Sequence, residues 1–388
     1  MKALNRRSFL KTSATGALGA AIIPEIKAGE NVNLASVQHD IIRRKLGNTG
    51  IEVPVVSMGV GRCDSPAVIK GAMKLGINHF DTAYVYQGGN SERLLGEVLK
   101  TYPRDSFTIA TKIKTCNSKD EFVALFYESL ERLQMDYVDI LYLHGVDSEE
   151  QAFNVTMMEA MKSLKEEGKV KHLGMSTHRN EPEVLQAAVD SKSFYEVVLL
   201  AINFKQEHYP RIREKMAEAA KAGIGMVGMK VMAGGFLDKD KTRSVNFRAA
   251  LKYVLQDPNL HTTIPSMINL EQLQDNASVL TNLELSDQEK SDLEVAALDA
   301  GLYCNGCGIC LNTCKKNLNI PDLMRAYMYT YGYRETAKAK DLIVRQHILN
   351  NPCRDCMECT TACSKGFPVS DRIADVSRLA TIPNEFLS

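Results

Sequence analysis

The repeat that decides the fold of this chain opens with Tyr137-Val138-Asp139-Ile140-Leu141-Tyr142-Leu143-His144. A stretch with helical periodicity follows at Val155–Glu167, and the repeat closes with Val170-Lys171-His172-Leu173-Gly174-Met175-Ser176-Thr177. Short apolar runs rich in β-formers indicate buried strands, whereas apolar residues about every three to four positions indicate an amphipathic helix. A strand, a helix and a second strand in this order predict a parallel βαβ unit.

The same alternation continues on both sides of this unit, between about residues 46 and 282. The predicted strands are Val53–Val60, His79–Ala83, Phe107–Ile113, Tyr137–His144, Val170–Thr177, Glu196–Ile202, Ile224–Lys230 and His261–Pro265. Eight such repeats in this length fit a closed (β/α)8 TIM barrel better than an open sheet. An open dinucleotide-binding sheet would also carry a Gly-x-Gly-x-x-Gly turn after an early strand, and the sequence has none there.

Four side chains with complementary chemistry fall at the carboxyl ends of adjacent predicted strands. Asp81 and Lys112 lie at the ends of the second and third strands. Tyr86 lies in the loop after the second strand, and His144 ends the fourth. In a (β/α)8 barrel these ends share one rim, and the catalytic residues of the fold lie there. Each residue alone has an ordinary reading as a loop cap, a solvated lysine or a core histidine, but together they predict an active site.

Several spaced motifs resemble those of the aldo-keto reductases. They are Leu46-Gly47-Asn48-Thr49-Gly50-Ile51-Glu52-Val53, Gly76-Ile77-Asn78-His79-Phe80-Asp81-Thr82-Ala83-Tyr84-Val85-Tyr86, Ser91-Glu92-Arg93-Leu94-Leu95-Gly96, Ala110-Thr111-Lys112, Asp139-Ile140-Leu141-Tyr142-Leu143-His144 and Gly168-Lys169-Val170-Lys171-His172-Leu173-Gly174-Met175-Ser176. The resemblance covers residues 43–300. It implies a barrel that acts on a carbonyl or an alcohol, with Asp81, Tyr86, Lys112 and His144 as the catalytic residues.

Physical chemistry suggests a role for each member of this tetrad. Carbonyl reduction needs a hydride for the carbon and a proton for the oxygen, and Tyr86 is placed to exchange that proton. A cationic Lys112 beside the phenol would stabilise its anionic form, and Asp81 would hold Lys112 charged and in place. His144 would orient the carbonyl oxygen. Alcohol oxidation would use the same groups in reverse.

The resembled family binds NAD(P) at the ends of strands five to eight. The residues of this chain at or near those positions are Ser176, Asn203, Lys230, Pro265, Ser266 and Asn276. The match is incomplete, because Leu200 replaces a glutamine and Met229 lies where an aromatic residue is expected. Ser266 and Gln272 stand at the basic positions that pair with the 2′-phosphate of NADP, which would lose its charge-assisted hydrogen bonds. NAD, NADP and no nicotinamide at all stay open.

Eight of the ten cysteines lie in the C-terminal fifth of the chain, in two runs of equal spacing. They are Cys304, Cys307, Cys310 and Cys314, then Cys353, Cys356, Cys359 and Cys363. The spacing Cys-x-x-Cys-x-x-Cys-x-x-x-Cys is that of paired [4Fe-4S] clusters in bacterial ferredoxins. Disulfides and zinc are the alternatives, but two tight runs with one internal spacing fit them poorly.

The fourth cysteine of such a run normally ligates the cluster of the other run. The two expected ligand sets are therefore Cys304, Cys307, Cys310 and Cys363, and Cys353, Cys356, Cys359 and Cys314. The usual proline after the fourth cysteine is absent, since Lys315 and Ser364 stand there. Helical patterns at Pro321–Tyr331 and Arg334–Leu349 predict a small, mainly helical ferredoxin-like domain over residues 301–388.

Residues 1–30 resemble an export signal. The run Arg6-Arg7-Ser8-Phe9-Leu10-Lys11 is similar to the twin-arginine motif, and a short, weakly apolar stretch follows it. A basic amphipathic helix is the alternative. Iron–sulfur clusters are built in the cytoplasm, and the twin-arginine route carries folded cargo. The export motif and the predicted clusters are therefore compatible in one protein. They predict a periplasmic or extracytoplasmic protein.

Composition and charge narrow the classes of function. The 388 residues are 45% hydrophobic and 24% charged, as in ordinary globular proteins. Lys plus Arg and Asp plus Glu each total 47, and this balance argues against nucleic acid as a partner. No apolar run approaches the ~18 residues of a membrane span, so no transmembrane anchor is predicted beyond the signal peptide.

Together these features predict an exported oxidoreductase that interconverts a carbonyl and an alcohol with NAD(P). Its two [4Fe-4S] clusters would relay electrons to or from a redox partner protein. The alternative is an electron-transfer or binding protein on a barrel that no longer uses nicotinamide, with clusters that are structural or redox-active. The replacements at Leu200, Met229, Ser266 and Gln272 favour the alternative, and the tetrad favours the oxidoreductase.

Overall fold

The computed structural model describes residues 41–356 and 358–387, so the predicted export signal lies outside the described residues. The strands are β1 (Arg43–Lys45), β2 (Glu52–Pro54), β3 (Met58–Gly59), β4 (His79–Asp81), β5 (Thr108–Lys114), β6 (Val138–His144), β7 (Val170–Thr177), β8 (Val197–Ala201), β9 (Gly225–Met229) and β10 (Thr262–Thr263). The helices are α1 (Pro66–Lys74), α2 (Asn90–Leu99), α3 (Lys119–Leu133), α4 (Glu149–Ala152), α5 (Val155–Glu166), α6 (Glu181–Asp190), α7 (Tyr209–Lys221), α8 (Phe247–Leu255), α9 (Leu270–Ala277), α10 (Asp287–Leu298), α11 (Ile320–Met328), α12 (Thr336–Val344) and α13 (Val369–Val376). In this part of the chain no helix is long and apolar enough to cross a membrane.

Eight parallel strands, β3 to β10, form one sheet in chain order. Parallel bridges from Val56 to Thr263 and from Gly59 to Ser266 join the first of these strands to the last. The sheet therefore closes into a barrel with helices outside it, and the predicted (β/α)8 fold is confirmed. Because all eight strands point the same way, their carboxyl ends form a single rim.

The βαβ unit that decides the fold has the predicted elements to within a residue or two. The preceding helix, α3, shows why such segments are helical. Ser118 caps it by accepting a hydrogen bond from the backbone of Glu121, and Phe122 and Phe126 on one face are fully buried. The helix ends where Gln134 adopts a left-handed conformation, with φ of +54°.

The first predicted strand, Val53–Val60, is divided between two sheets. Its beginning, β2, pairs antiparallel with β1 in a hairpin, and its end, β3, belongs to the barrel. The partners change between Val55, which donates to Ile42 of the hairpin, and Ser57, which donates to Thr263 of β10. An apolar run indicates that a segment is buried but not which strand pairs with it. The sequence therefore predicted β2 and β3 as one strand.

The hairpin lies under the amino-terminal end of the barrel. Leu46 of the hairpin is fully buried in one cluster with the interior residues Ile140, Tyr142 and Val227. The packing is close, since a Cβ on Gly225 would lie 2.7 Å from the Leu46 side chain. A second, larger cluster lies between the strands and the surrounding helices. The tight base supports the strands whose opposite ends carry the predicted site.

The C-terminal region packs around a core of its own. Pro321 lies in the first turn of α11, and the helix continues into a π-helical turn at Tyr329–Tyr333. Arg334 then adopts a left-handed conformation, so the second predicted helix begins only with α12. The core of this region also contains Ala233 from the loop after β9. The C-terminal domain is therefore docked on the carboxyl-end rim of the barrel.

Candidate functional site

A buried ion pair between Asp81 and Lys112 lies at the rim. Lys112 Nζ donates to Asp81 Oδ1 and to the carbonyl oxygen of Thr82. The Lys112 and Asp81 side chains are only 1% and 2% exposed. Burial raises the pKa of the Asp81 carboxyl, and Lys112 opposes that rise. The neighbouring strands β4 and β5 thus fix a cation in a place with little water, where charges interact strongly.

Tyr86 lies over this cation. Its ring centroid is 5.0 Å from Lys112 Nζ. The turn after β4 sets this position, because the Tyr86 backbone donates to Ala83 and Gln87 adopts a left-handed φ of +52°. Gly61 leaves room for the ring, since a Cβ there would lie 3.1 Å from it. A phenol this close to an ammonium group is placed to donate a proton and to bear the resulting negative charge.

His144 completes the group of four predicted residues. Its ring meets the Tyr86 ring edge to face, with centroids 5.9 Å apart. Burial lowers the pKa of His144 well below its usual range, and Lys112, Lys338 and Lys114 lower it further. A neutral imidazole can donate to a carbonyl oxygen without adding a charge. The structure therefore brings all four predicted residues together on one rim.

Tyr142 was missed by the sequence analysis. It is fully buried, its ring lies 5.9 Å from Lys112 Nζ, and its hydroxyl has no hydrogen-bond partner in the structure. Burial raises the pKa of Tyr142 well above its usual range, and Asp81 adds to the rise. An aromatic residue within a strand is typical of a barrel core, so no signal in the sequence marked its polar end.

The cysteines of the first predicted cluster set lie close together. Burial, with the nearby thiols of Cys304, Cys307 and Cys363, raises the pKa of Cys310 to about 11. Cys363 comes from the second run, so the fourth cysteine of that run lies near the first three of the other run, as the predicted ligand set requires. Ser364 lies beside this set, with its hydroxyl 3.2 Å from the Cys307 sulfur.

The second predicted set is gathered in the same way. Burial, with Cys356, Cys359 and Cys314, raises the pKa of Cys353 to about 11. These four residues line one cavity of about 160 Å³. Four thiols around one space match the donor set of a [4Fe-4S] cluster. Within residues 41–356 and 358–387, no three His, Cys, Asp or Glu side chains are placed to hold a single metal ion.

The two cysteine runs are tied to each other by hydrogen bonds as well. The Thr360 hydroxyl donates to the Thr313 carbonyl at 2.8 Å, and the Ala362 backbone donates to the Thr313 hydroxyl at 3.1 Å. These contacts hold the end of the first run against the second. Each run can thereby supply its fourth cysteine to the other set.

Comparison with known proteins identifies both parts of the chain. A family model described as the aldo/keto reductase family matches residues 60–249. The barrel is an aldo/keto reductase domain. A second model, described as a 4Fe-4S dicluster domain, matches residues 303–367. The chain is therefore an oxidoreductase of aldo/keto reductase type that carries a 4Fe-4S domain.

Curated relatives and solved structures agree with this assignment. Over 306 residues the chain is 28% identical to L-galactose dehydrogenase of Arabidopsis thaliana, covering 66% of this chain and 93% of the relative. Over 262 residues it is 27% identical to methylglyoxal reductase DkgB of Escherichia coli O157:H7, covering 64% and 93%. The holo form of aldo-keto reductase AKR11C1 from Bacillus halodurans matches with a TM-score of 0.56 and 22% identity, covering 66% and 96%. That structural likeness shows the shared fold.

Three of the predicted nicotinamide contacts of this aldo/keto reductase domain already have partners within the protein. The Ser176 hydroxyl accepts a hydrogen bond from the Gly145 backbone at 3.1 Å. Asn203 is fully buried, and its side-chain oxygen accepts from the Lys205 backbone at 3.0 Å. Lys230 adopts a left-handed φ of +58°, and its Nζ donates to the Tyr329 hydroxyl at 2.8 Å.

The other three predicted contacts lie around β10. Pro265 is buried, and Ser266 is exposed and takes part in the bridge to Gly59 that closes the barrel. Asn276 is 5% exposed in α9. Pro265 and Ser266 directly follow β10 and therefore lie at the carboxyl-end rim.

The dicluster domain covers the ends of the fifth, sixth and seventh barrel strands. Arg179, after β7, pairs with Asp322 of α11 at 3.2 Å. Gly234, after β9, donates from its backbone to the Tyr333 hydroxyl at 3.1 Å. Tyr303 lies beside Asn203, which opposes the rise that burial causes in the pKa of Tyr303. These contacts lie at the strand ends where the resemblance predicts the dinucleotide.

The same docking places residues of the dicluster domain near the tetrad. Lys338 of α12 contributes to the lowering of the pKa of His144. Tyr329 receives the hydrogen bond from Lys230. Sequence reasoning missed both residues, because no local pattern states where a second domain will dock.

Proposed function

We propose that this chain interconverts a carbonyl and an alcohol at Tyr86, and that two [4Fe-4S] clusters relay electrons to or from a redox partner protein. The observation that carries the proposal is the tetrad, in which Asp81, Lys112, Tyr86 and His144 meet on one rim. Together these residues supply the proton donor and the charge stabilisation that reduction of a carbonyl requires.

The proton chemistry belongs to the residues of the barrel. In reduction, Tyr86 donates a proton to the carbonyl oxygen while the neutral His144 donates a hydrogen bond to it. Lys112 stabilises the phenolate that remains, and Asp81 keeps that ammonium in place. In oxidation, the phenolate of Tyr86 takes the proton of the alcohol.

The proposed reaction and the clusters differ in the number of electrons that they transfer. Reduction of a carbonyl consumes two electrons and two protons, whereas a [4Fe-4S] cluster carries one electron at a time. Cys304, Cys307, Cys310 and Cys363 would hold one cluster and Cys353, Cys356, Cys359 and Cys314 the other. The resemblance predicts NAD(P) as the hydride carrier. Because NAD(P) exchanges electrons only in pairs, passing them singly to a cluster would also need a flavin or a similar converter.

A second candidate function rests on the covered rim. The dicluster domain engages Lys230 and Gly234, and Asn203 is fully buried, which supports a barrel that no longer uses nicotinamide. In that case the protein is an electron-transfer or binding protein. Anaerobic purification followed by extraction of bound nucleotide separates the two candidates. Cluster absorption near about 400 nm without any nucleotide favours the second.

Replacement of the phenol tests the proposed chemistry directly. We expect Tyr86→Phe to lower turnover of a carbonyl substrate by at least about 100-fold, since general acid catalysis contributes about that much or more. The names of two relatives supply the first substrates to assay. Methylglyoxal is tested for reduction with NAD(P)H or reduced methyl viologen as donor, and L-galactose for oxidation with NAD(P) or an oxidised dye as acceptor.

The control is Tyr84→Phe, which removes a hydroxyl that bonds instead to Glu128 at 2.7 Å. Both variants should keep the iron content and the visible absorption of the parent. Full activity in Tyr86→Phe would show that the chemistry lies elsewhere.

Export by the twin-arginine route is part of the proposal. The support is the motif at Arg6-Arg7-Ser8-Phe9-Leu10-Lys11 together with a 4Fe-4S domain whose clusters must be assembled before export. Lysine at both Arg6 and Arg7 should keep the folded protein in the cytoplasm. Unchanged periplasmic yield in that double variant would contradict the proposed route.

A further inference from the structure

A guanidinium group lies inside the dicluster domain, on Arg372 of α13. Its Cζ is 3.7 Å from the ring centroid of Phe367 and 4.8 Å from that of Tyr327, and both rings are buried. One amino group of Arg372 is used, because Nη2 donates to the Gly301 carbonyl at 2.8 Å. The other, Nη1, is buried and has no hydrogen-bond partner among the residues that the structure describes. Arg372 therefore holds an unused hydrogen-bond donor inside the domain.

The contacts of Arg372 place it between the two segments that supply the first cluster set. Gly301, which accepts its hydrogen bond, lies three residues before Cys304. Phe367, which covers its guanidinium, follows a turn that the backbone closes onto the Cys363 carbonyl at 3.0 Å. Cys304 and Cys363 both pack against the core that contains Phe367. The position of Arg372 beside the first set thus follows from its own hydrogen bond and ring contact.

Arg372 has no acidic partner. In residues 41–356 and 358–387 no carboxylate forms an ion pair with it, whereas Arg378, six residues later, pairs with Asp375 at 3.2 Å. An arginine side chain is always charged, and a buried charge in a protein is normally paired. Burial lowers the pKa of Arg372, and the groups that oppose the decrease include the thiols of Cys363 and Cys304. Four thiolates around an iron–sulfur cluster would supply the missing negative charge.

A second unpartnered donor lies in the loop of the same set. Asn305, directly after Cys304, is 7% exposed, and its Nδ2 is buried without a hydrogen-bond partner in the described part of the chain. Burial raises the pKa of Cys304, and a hydrogen bond from the Gly306 backbone opposes the rise. By contrast, the described residues between 350 and 362 include no buried side-chain donor that lacks a partner. The unused donors are therefore concentrated at the first set.

We propose that Arg372 sets the reduction potential of the cluster held by the first set, with Nη1 donating a hydrogen bond to a sulfur atom of that cluster. This inference rests on the cluster sites of the proposed function and adds a positioning residue to one of them. Reduction adds one negative charge to a cluster, and a buried cation stabilises that charge because water screens it little. Arg372 therefore raises the potential. Asn305 acts in the same direction but more weakly, because its amide is neutral.

Potentiometric titration of the intact, cluster-loaded protein tests the inference without any substrate. Electron paramagnetic resonance follows the reduction of each cluster. We expect Arg372→Gln to lower the equilibrium constant for one-electron reduction of one cluster by about 10-fold, which is about 59 mV, and to leave the other cluster unchanged. Arg372→Lys keeps the charge and should retain most of the potential of the parent.

Two variants assign the shifted signal to a cysteine set. Asn305→Ala removes a donor from the loop of the first set, so it should lower the same potential as Arg372→Gln, by a smaller amount. Thr361→Val removes a hydroxyl that hydrogen-bonds to Cys359 of the second set. It should lower only the other potential.

The matched control is Arg378→Gln, which removes an equal charge from the same part of the domain. The Arg378 side chain is 75% exposed and already paired with Asp375, so salt screens its charge and both potentials should stay unchanged. Iron content and thermal unfolding show whether each variant is folded. Arg372→Met replaces the glutamine variant if that one loses iron, and Asn305→Ala gives an independent measurement.

The outcomes separate this inference from the proposed function. Parent-like potentials in a folded Arg372→Gln or Arg372→Met protein overturn the inference and leave Arg372 as a structural link between Gly301 and Phe367. A shift confined to the potential that Thr361→Val lowers overturns it as well. Absence of carbonyl turnover in the parent contradicts only the chemistry proposed at Tyr86, because the potentials are measured without substrate. An anaerobically purified parent that binds no iron contradicts both.

Discussion

At the scale of single residues, the site depends on the buried ion pair between Lys112 and Asp81. Lys112 and Asp81 are both buried, and each would be costly without the other, by about 3–5 kcal/mol for a broken buried pair. The fold thus keeps an ammonium group under the Tyr86 ring whether or not a ligand is present. A catalytic cation fixed before the reaction needs no reorganisation when negative charge develops on the phenol.

His79, two residues before Asp81 in β4, allows a test of this burial away from the proposed chemistry. It is 1% exposed, and neither ring nitrogen has a hydrogen-bond partner in the structure. Burial lowers the pKa of His79 to about 4, Lys112 adds to the decrease, and Asp139 opposes it. The folded protein therefore resists protonation that the unfolded chain, with a pKa near 6.5, accepts.

The sign of the effect follows from that difference. Between pH 6.5 and 4 the unfolded state binds more protons, so the free energy of unfolding falls as pH falls. We expect His79→Phe to remove this slope, a difference of about 2 kcal/mol between variant and parent at pH 5 relative to pH 7. Urea unfolding followed by circular dichroism at both pH values measures it.

The control for this prediction is His347→Asn. His347 is exposed and has a left-handed φ of +57°, which asparagine tolerates. This variant should keep the pH slope of the parent. A slope in His79→Phe equal to that of the parent would show that His79 is protonated as readily in the folded protein as in the unfolded chain.

At the scale of elements, the ends of strands and the two cysteine runs were predictable, and the contacts between domains were not. Asp81, Lys112 and His144 each sit near the end of their own strand, so the direction of the sheet alone places them on one rim. The division of Val53–Val60 was not predictable, because its apolar pattern is the same in a hairpin and in a barrel. The position of Lys338 was not predictable either, because the periodicity of its helix indicates packing within its own domain and not where that domain docks.

The crossing of the fourth cysteine between runs gives a prediction at this scale. Because Cys363 lies with Cys304, Cys307 and Cys310, Cys363→Ser should remove one cluster, about four of about eight iron atoms, and leave the other. Cys314→Ser should do the same to the set around Cys353. Iron analysis and electron paramagnetic resonance of the reduced protein measure both losses.

Double variants distinguish crossed from uncrossed ligation. Cys304→Ser combined with Cys363→Ser should lose no more iron than either change alone, because both residues belong to one set. Cys353→Ser combined with Cys363→Ser should lose both clusters. The reverse pattern would mean that each run binds its own cluster.

At the scale of the whole molecule, the dicluster domain is more than an attached electron carrier. It pairs Asp322 with Arg179, engages Lys230 through Tyr329 and occupies the Gly234 backbone through Tyr333. On the single rim of the aldo/keto reductase domain, the tetrad is therefore assembled, whereas the predicted dinucleotide contacts lie beside the docked domain.

The second candidate function, a barrel that no longer uses nicotinamide, predicts that the intact protein does not bind nicotinamide dinucleotides. Titration with NADH and NADPH, followed by their fluorescence, should show no saturable binding at concentrations that saturate a nicotinamide-dependent reductase measured alongside.

Two causes would produce this result: the docked domain, and the loss of basic partners at Ser266 and Gln272. Asp322→Ala with Tyr333→Phe removes two docking contacts without touching the barrel residues. Binding that appears in this variant identifies the domain as the cause, whereas continued absence assigns it to Ser266 and Gln272. Tight binding of NADH by the parent would show that the domain moves off the rim in solution, and would restore nicotinamide as the two-electron carrier for the chemistry at Tyr86.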